Sequence, residues 1–224
     1  MKLAVTGGKG GVGKSTVAYN LGAELDAVVV DGDLGMADLP QRHGPDLHDV
    51  LAGRATPLEA VSEDGSVALL PCGRSLAGAR KADQTALVET VATVERHYGT
   101  VVIDSPAGLR ADVGLALLAS DACVLVTRPT RPAVADSLRA RELARAVETP
   151  LARIVLNRVE SQQTATDTRV RQLAATLEGP VTQIPDSAVV RRAQRSGVPV
   201  RAVDADACAT AAFQTLANQV ASLF

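Results

Sequence analysis

The chain has 224 residues and a formal net charge of −2, enough length for one substantial core and too little charge for a general field that would attract nucleic acid or acidic membrane. Apolar residues make up 46% but aromatics only 2%. The core must therefore be built from Val, Leu, Ala and Ile, a composition suited to a parallel sheet covered by helices on both faces.

The first strand candidate is LAV near Leu3, which runs into the glycine-rich TGGKGGVGKST (Thr6–Thr16) and the helical pattern STVAYNLGAEL. AVVVD (27–31) and VALL (67–70) are the next strand candidates. In QTALVETVATVERHY, Leu87, Val91, Val94 and Tyr98 recur at helical spacing, with Gly99 as the stop. TVVID (100–104) and ACVLVT (122–127) follow as strands. In AVADSLRARELARAV, Val134, Leu138 and Val147 fall on roughly one side of a helix. RIVLN (153–157) is a strand, TDTRVRQLAATLEG a helix striped by Val170, Leu173 and Leu177 and ended by Gly179, and VTQI (181–184) a strand. Near the end, Phe213, Leu216 and Val220 form a further apolar stripe. The strand runs are continuously apolar, so both their faces should be covered. Such alternation of strands and helices predicts an α/β fold: a single-domain, mostly parallel, doubly wound sheet of about seven strands flanked by helices, spanning residues 1–224.

Cys72, Cys123 and Cys208 are far apart and form no CxxC, which fits a reducing compartment and small buried residues. The start MKLAVTGG lacks the apolar core of a signal peptide, and no apolar run reaches the ~18 residues of a membrane span. A cytoplasmic protein is expected. His43, His48 and His97 show no ligand spacing and are expected at the surface.

Gly8, Gly13, Lys14 and Ser15 satisfy GxxxxGK[ST], between a strand and a helix as that motif requires. Glycine backbone N–H groups, through Gly10, Gly11, Val12 and Gly13, can curl around a β-phosphate at a helix N-terminus, with Thr16 in the first turn. Lys14 can reach the β- and γ-phosphates, and the Ser15 hydroxyl can ligate Mg²⁺. An acid is needed near that ion. Asp104 ends one hydrophobic strand, and Asp31 and Asp33 lie at the end of another, at the carboxyl edge where α/β ligands bind. Lys9 is the anomaly, a second long cation inside a loop that needs bare backbone.

KGGVGKST resembles the deviant phosphate loop of the MinD/ParA family of ATPases, whose mark is an extra lysine where Lys9 stands. The resemblance covers nearly the whole chain. VVVDGDLGMADL is similar to that family's first switch region, and VVIDSPAGL to its second; DSPAG favours the MinD branch. DLHDVLAGRATPLEAV and IPDSAVVRRAQRSGVPV look like MinD-type segments in the expected order.

The resemblance implies a slow, partner-stimulated ATPase that uses ATP and Mg²⁺. It implies a face-to-face homodimer driven by Mg-ATP and released by hydrolysis, a nucleotide switch for spatial positioning or partner regulation. Lys9 would reach across the dimer to the partner subunit's phosphates. Asp33 would orient the attacking water, Asp104 would hold magnesium through water, and Asp31 would assist in the switch. Asn157 would contact adenine, with Pro185 and Asp186 lining the same end; the alternative is that Asn157 merely turns the chain after its strand. IVLNRVE lacks the aspartate of a guanine-reading NKxD.

Two other classes stay open: an ATP-dependent small-molecule ligase of the dethiobiotin synthetase type, and a metallocentre-maturation ATPase. The net charge does not favour DNA, although Arg191, Arg192 and Arg195 could make a small patch. MinD proper ends in a basic amphipathic helix, whereas here no lysine or arginine follows Arg201. Each absent cation forfeits roughly 1 kcal/mol of attraction to anionic lipid. Packing of the final helix on the core is expected instead of membrane binding.

Overall fold

The computed structural model describes residues 1–34, 39–40, 43–73, 83–108, 111–160 and 167–224. Residues 35–38 of the first switch-like stretch and Leu109 of the second lie outside them. In chain order the strands are β1 (Lys2–Thr6), β2 (Val28–Asp31), β3 (Leu69–Leu70), β4 (Val101–Asp104), β5 (Ala122–Thr127), β6 (Leu151–Val159) and β7 (Val181–Pro185). They form one seven-stranded sheet in the order β3-β2-β4-β1-β5-β6-β7, and every neighbouring pair is parallel.

The continuous apolar runs follow from this layering. Successive strand residues point to opposite faces, so Val29 and Val102 join one core while Val28, Val30, Val101 and Ile103 join another across the sheet. The described helices are α1 (Lys14–Leu25), α2 (Leu47–Leu51), α3 (Leu87–Tyr98), α4 (Ala111–Leu118), α5 (Arg131–Ala146), α6 (Asp167–Leu177), α7 (Ala188–Ser196), α8 (Val200–Val203) and α9 (Cys208–Ala221). Val17 and Leu21 of α1 share a core with Phe213, Leu216 and Val220 of α9. Leu47, Val50 and Leu51 of α2 pack with Val91 and Val94 of α3 on the opposite face.

Three local expectations are revised. β3 is a two-residue edge strand rather than four, pairing with β2 and forming one antiparallel bridge, Leu69 to Ser62. On α5 the fully buried line is Ala133, Ser137, Ala140 and Ala144, not the bulkier residues, and Leu138 is 37% exposed. Small side chains let this helix lie close to the strands, whereas reading by bulk selected the flank. At the end of α6 the left-handed residue is Glu178, at φ 52°. Gly179 serves a different need: a Cβ there would meet the Leu151 side chain at 2.6 Å.

The stripe of α9 packs on the core as expected. Phe213 is completely buried. Phe213→Ala should therefore lower stability by about 3–5 kcal/mol, seen as a lower urea midpoint at unchanged slope. A midpoint like the parent's would show that α9 is not part of the core.

Candidate functional site

The strand order brings the site together. β1 lies between β4 and β5, with β2 beyond β4, so the carboxyl ends of β2, β4 and β1 sit side by side. Register pairs Val5 with Asp104, and Asp104 with Asp31. Both aspartates are buried, level with each other at the edge from which the glycine loop departs. Gly32 N–H donates to the Asp104 carbonyl at 2.9 Å, and Ser105 N–H donates to the Val5 carbonyl at 3.1 Å, so the ends of these strands are fastened together.

The loop can only be made with glycine where it is most constrained. Gly13 caps α1 at φ 101°, and a Cβ there would lie 2.2 Å from Asn157 Nδ2. Gly8 runs against α5, where a Cβ would stand 1.9 Å from the Asp136 carbonyl oxygen. α1 has no side-chain cap bond and no acidic residue in its first turn. Its leading N–H groups and partial positive charge therefore face the loop with no acidic side chain of the helix's own first turn beside them. Lys14 is held inside the site at 7% exposure.

A cavity of about 680 Å³ opens here, within the usual range of ligand pockets. Gly10, Gly11, Gly13, Lys14, Ser15 and Thr16 form one wall. Asp33 faces it from the β2 end, and Ser105, Pro106 and Ala107 from the β4 end. This cradle of glycine backbone, a buried lysine, hydroxyls and one facing carboxylate, with two more carboxylates at the adjoining strand ends, fits a polyphosphate with a divalent cation. Gly8, Val12, Asp31 and Asp104 belong to the same loop and strand ends but do not line the cavity itself. Lys9 is exposed and also lies outside the lining of its own cavity.

The expected base-end residues sit apart from the lining. Asn157, 5% exposed, donates from Nδ2 to the Val12 carbonyl at 2.8 Å and accepts the Arg158 N–H on Oδ1. It ties β6 to the phosphate loop. Its neighbour Arg158, at φ 56° where the β6–β7 register shifts, is the residue of this strand end that lines the cavity. Pro185 ends β7, and Asp186 is exposed and ion-paired with Arg191 at 2.5 Å.

The remaining wall was not foreseen. Tyr19, Asn20, Gln194, Gly197 and Val198 line it, together with Leu39 and Pro40. Gln194 donates from Nε2 to the Thr16 hydroxyl, the Tyr19 hydroxyl donates to the Gly197 carbonyl at 3.0 Å, and Val200 N–H donates to Asn20 Oδ1 at 2.7 Å. Tyr19 and Asn20 follow Thr16 at helical spacing, a signal that would have placed them on the same face of α1.

One histidine was misplaced. His43 and His97 are exposed, but His48 is buried at 3%, against Leu34 and Cys72. Reading a lone polar residue as surface failed because α2 turns it inward. Cys72 and Cys123 are buried as expected, whereas Cys208 is exposed; all three are free thiols. Among the described residues, no group of three or more His, Cys, Asp or Glu could hold a metal ion by itself.

A family model described as the CobQ/CobB/MinD/ParA nucleotide binding domain matches residues 3–200. The chain belongs to this family. Among its relatives, an uncharacterized ATP-binding protein of Methanocaldococcus jannaschii is 35% identical over 170 residues, covering 71% of this chain and 65% of that protein. A second such protein of the same organism is 30% identical over 229 residues, covering 97% of this chain and 86% of its own length. The septum site-determining protein MinD of Pyrococcus horikoshii, solved in complex with Mg-ADP, superposes with a TM-score of 0.89 at 28% identity, over 99% of this chain and 96% of that one. The MinD/ParA fold is thus the fold of this chain, a single sheet of seven parallel strands flanked by helices.

Proposed function

We propose that this chain is a MinD-like ATPase switch: it binds Mg-ATP, forms a face-to-face homodimer, and hydrolyses the nucleotide slowly to release it. The observation that carries the reading is the separation of the two loop lysines. Lys14 is buried in the cradle, while Lys9 is exposed and is not among the residues that line the cavity. A cation in that place is of use to a second set of phosphates. Two facing ATP sites bring several negative charges together, and a lysine donated by each subunit would offset the repulsion, much as an arginine finger does.

In this reading Gly8 to Thr16 hold the phosphates, Lys14 neutralises the β- and γ-phosphates, and Ser15 with Asp104 holds Mg²⁺, Asp104 through water. The ion would supply charge neutralisation at the transferring phosphoryl group. Asp33, which faces the cavity, orients the attacking water, and Asp31 accepts the Asp33 N–H at 3.3 Å and so supports the switch. Adenine lies toward the β6 and β7 ends, near Asn157, Pro185 and Asp186, with Arg158 on the cavity wall. Relatives described as ATP-binding, and one solved with Mg-ADP, support the choice of nucleotide and ion.

The proposed partners are a second copy of this chain and a protein cargo or activator. DNA is not favoured, since Arg191 is neutralised by Asp186. Membrane binding is not favoured either, because the apolar stripe of α9 is consumed by the core. No described helix is long and apolar enough to cross a membrane, and the three free thiols accord with a cytoplasmic setting.

Titration of the protein with ATP and GTP in the presence of Mg²⁺, followed by measurement of phosphate release, tests the reading. ATP should bind much more tightly, and release should be slow. Equal affinities would overturn the adenine assignment. Rapid turnover that depends on a small metabolite would favour a ligase of the dethiobiotin synthetase type instead.

A further inference from the structure

The short segment that carries Asp33 is pinned from behind by two side chains that never reach the cavity. His48 Nε2 lies 3.1 Å from the Leu34 carbonyl oxygen. A carbonyl only accepts, so Nε2 carries the proton and donates. Cys72 Sγ lies 3.1 Å from the Asp33 carbonyl oxygen and 3.7 Å from His48 Nε2, with the Gly73 carbonyl more distant at 3.6 Å. Burial raises the Cys72 pKa far above that of an ordinary thiol, and the carboxylates of Asp31, Asp33 and Asp46 raise it further. The sulfur therefore keeps its proton and acts as a donor. Consecutive carbonyls, of Asp33 and Leu34, are thus each held by one side chain.

The holding groups are themselves seated. α2, which carries His48, is fixed by a reciprocal capping box between Asp46 and Asp49, and Leu47 N–H donates to the Pro71 carbonyl at 2.9 Å. That bond locks α2 to the residue just before Cys72. Gly73 leaves the space for the imidazole: a Cβ there would fall 2.0 Å from His48 Nδ1. On the other side, Asp31 Oδ1 accepts the Asp33 N–H and the Asp104 carbonyl accepts the Gly32 N–H. The backbone around Asp33 is held on both flanks while its carboxylate faces the cavity.

We infer that His48 and Cys72 form a latch that positions Asp33 for hydrolysis, acting through the backbone of the first switch segment and not through contact with nucleotide. This rests on the reading of Asp33 as the group that orients the attacking water. A displacement near 1 Å in a positioned catalytic group can cost as much as about 100-fold in rate. Removing either donor should therefore slow turnover and spare binding, because the phosphate cradle is on a different loop.

The test measures single-site Mg-ATP Kd and kcat for His48→Leu, His48→Gln, Cys72→Ala, Asp33→Ala and the double variant Asp33→Ala/His48→Leu. Thermal melting of each confirms that it is folded. His48→Leu and Cys72→Ala should lower kcat by about 10-fold or more with Kd within about twofold of the parent. His48→Gln, whose Nε2 is the same number of bonds from the backbone, should restore most of the rate. The double variant should be no slower than Asp33→Ala, because the latch has nothing left to position.

Parent-like kcat in His48→Leu, or rate losses that multiply in the double variant, would overturn the latch. If His48→Leu does not fold, Cys72→Ala and its double variant with Asp33→Ala carry the same comparison. Should Asp33→Ala itself hydrolyse at the parent rate, the reading of Asp33 fails first, which is a different result from a slow Asp33→Ala beside a normal His48→Leu.

Discussion

Lys14→Ala should abolish nucleotide binding in a chain that still folds. Lys14 is buried at the first residue of α1, among open helix N–H groups with no acidic side chain in the first turn. Phosphate oxygens entering there exchange water for these donors, and Lys14 supplies the full positive charge that makes the exchange favourable. Without it, the helix end and backbone must hold a polyanion alone. Removing one partner of a buried charge pair costs about 3–5 kcal/mol, or roughly 10²–10⁴-fold in Kd. Calorimetric titration of the variant with Mg-ATP reads this directly. Binding within tenfold of the parent would mean that the cavity takes some other ligand. Lys14→Arg should not restore affinity, since a planar guanidinium does not fit the seat of a compact ammonium.

Asp33→Ala should have the second large effect, on rate and not on binding. The variant keeps Lys14, Ser15, Asp104 and the glycine loop, so Mg-ATP should bind as in the parent. Hydrolysis should fall by about 10³-fold, as when a group directed at the transferring phosphoryl is lost. Single-turnover phosphate release with enzyme in excess measures the chemical step without contribution from product release. A loss of affinity matching the loss of rate would instead make Asp33 a metal ligand.

The fold was legible because the strands announce themselves. Buried on both faces, β1, β2, β4 and β5 are apolar through their middles, and the aspartates that end β2 and β4 and the glycines that follow β1 mark where the site begins. The phosphate loop was legible for a related reason. At Gly13 the glycine is dictated locally, by φ 101°, so that demand appears in the sequence itself, and the GxxxxGK[ST] spacing carries the rest.

What was not legible depends on contacts between distant segments. Nothing near Asn157 signals that its amide will find the Val12 carbonyl, 145 residues away in the chain. His48 looked like a surface residue because its partners, Leu34 and Cys72, are brought to it only by the parallel pairing of β2 with β3. The face of α5 was misread because close packing on a sheet favours alanine and serine over valine and leucine. Gln194 reaches Thr16 only once α7 has folded back over α1.

The central claim is that ATP joins two copies of this chain through Lys9. Size-exclusion chromatography with light scattering, with Asp33→Ala used to hold the nucleotide intact, tests it most directly. With saturating Mg-ATP the mass should be twice the 23.1 kDa of the chain, and with Mg-ADP it should be that of one chain. Adding Lys9→Ala to the same background should return the ATP-loaded protein to the mass of one chain while leaving the ATP Kd unchanged. A dimer equally stable with and without Lys9 would make that lysine a surface cation, and a single-chain mass for Asp33→Ala saturated with Mg-ATP would contradict the switch altogether.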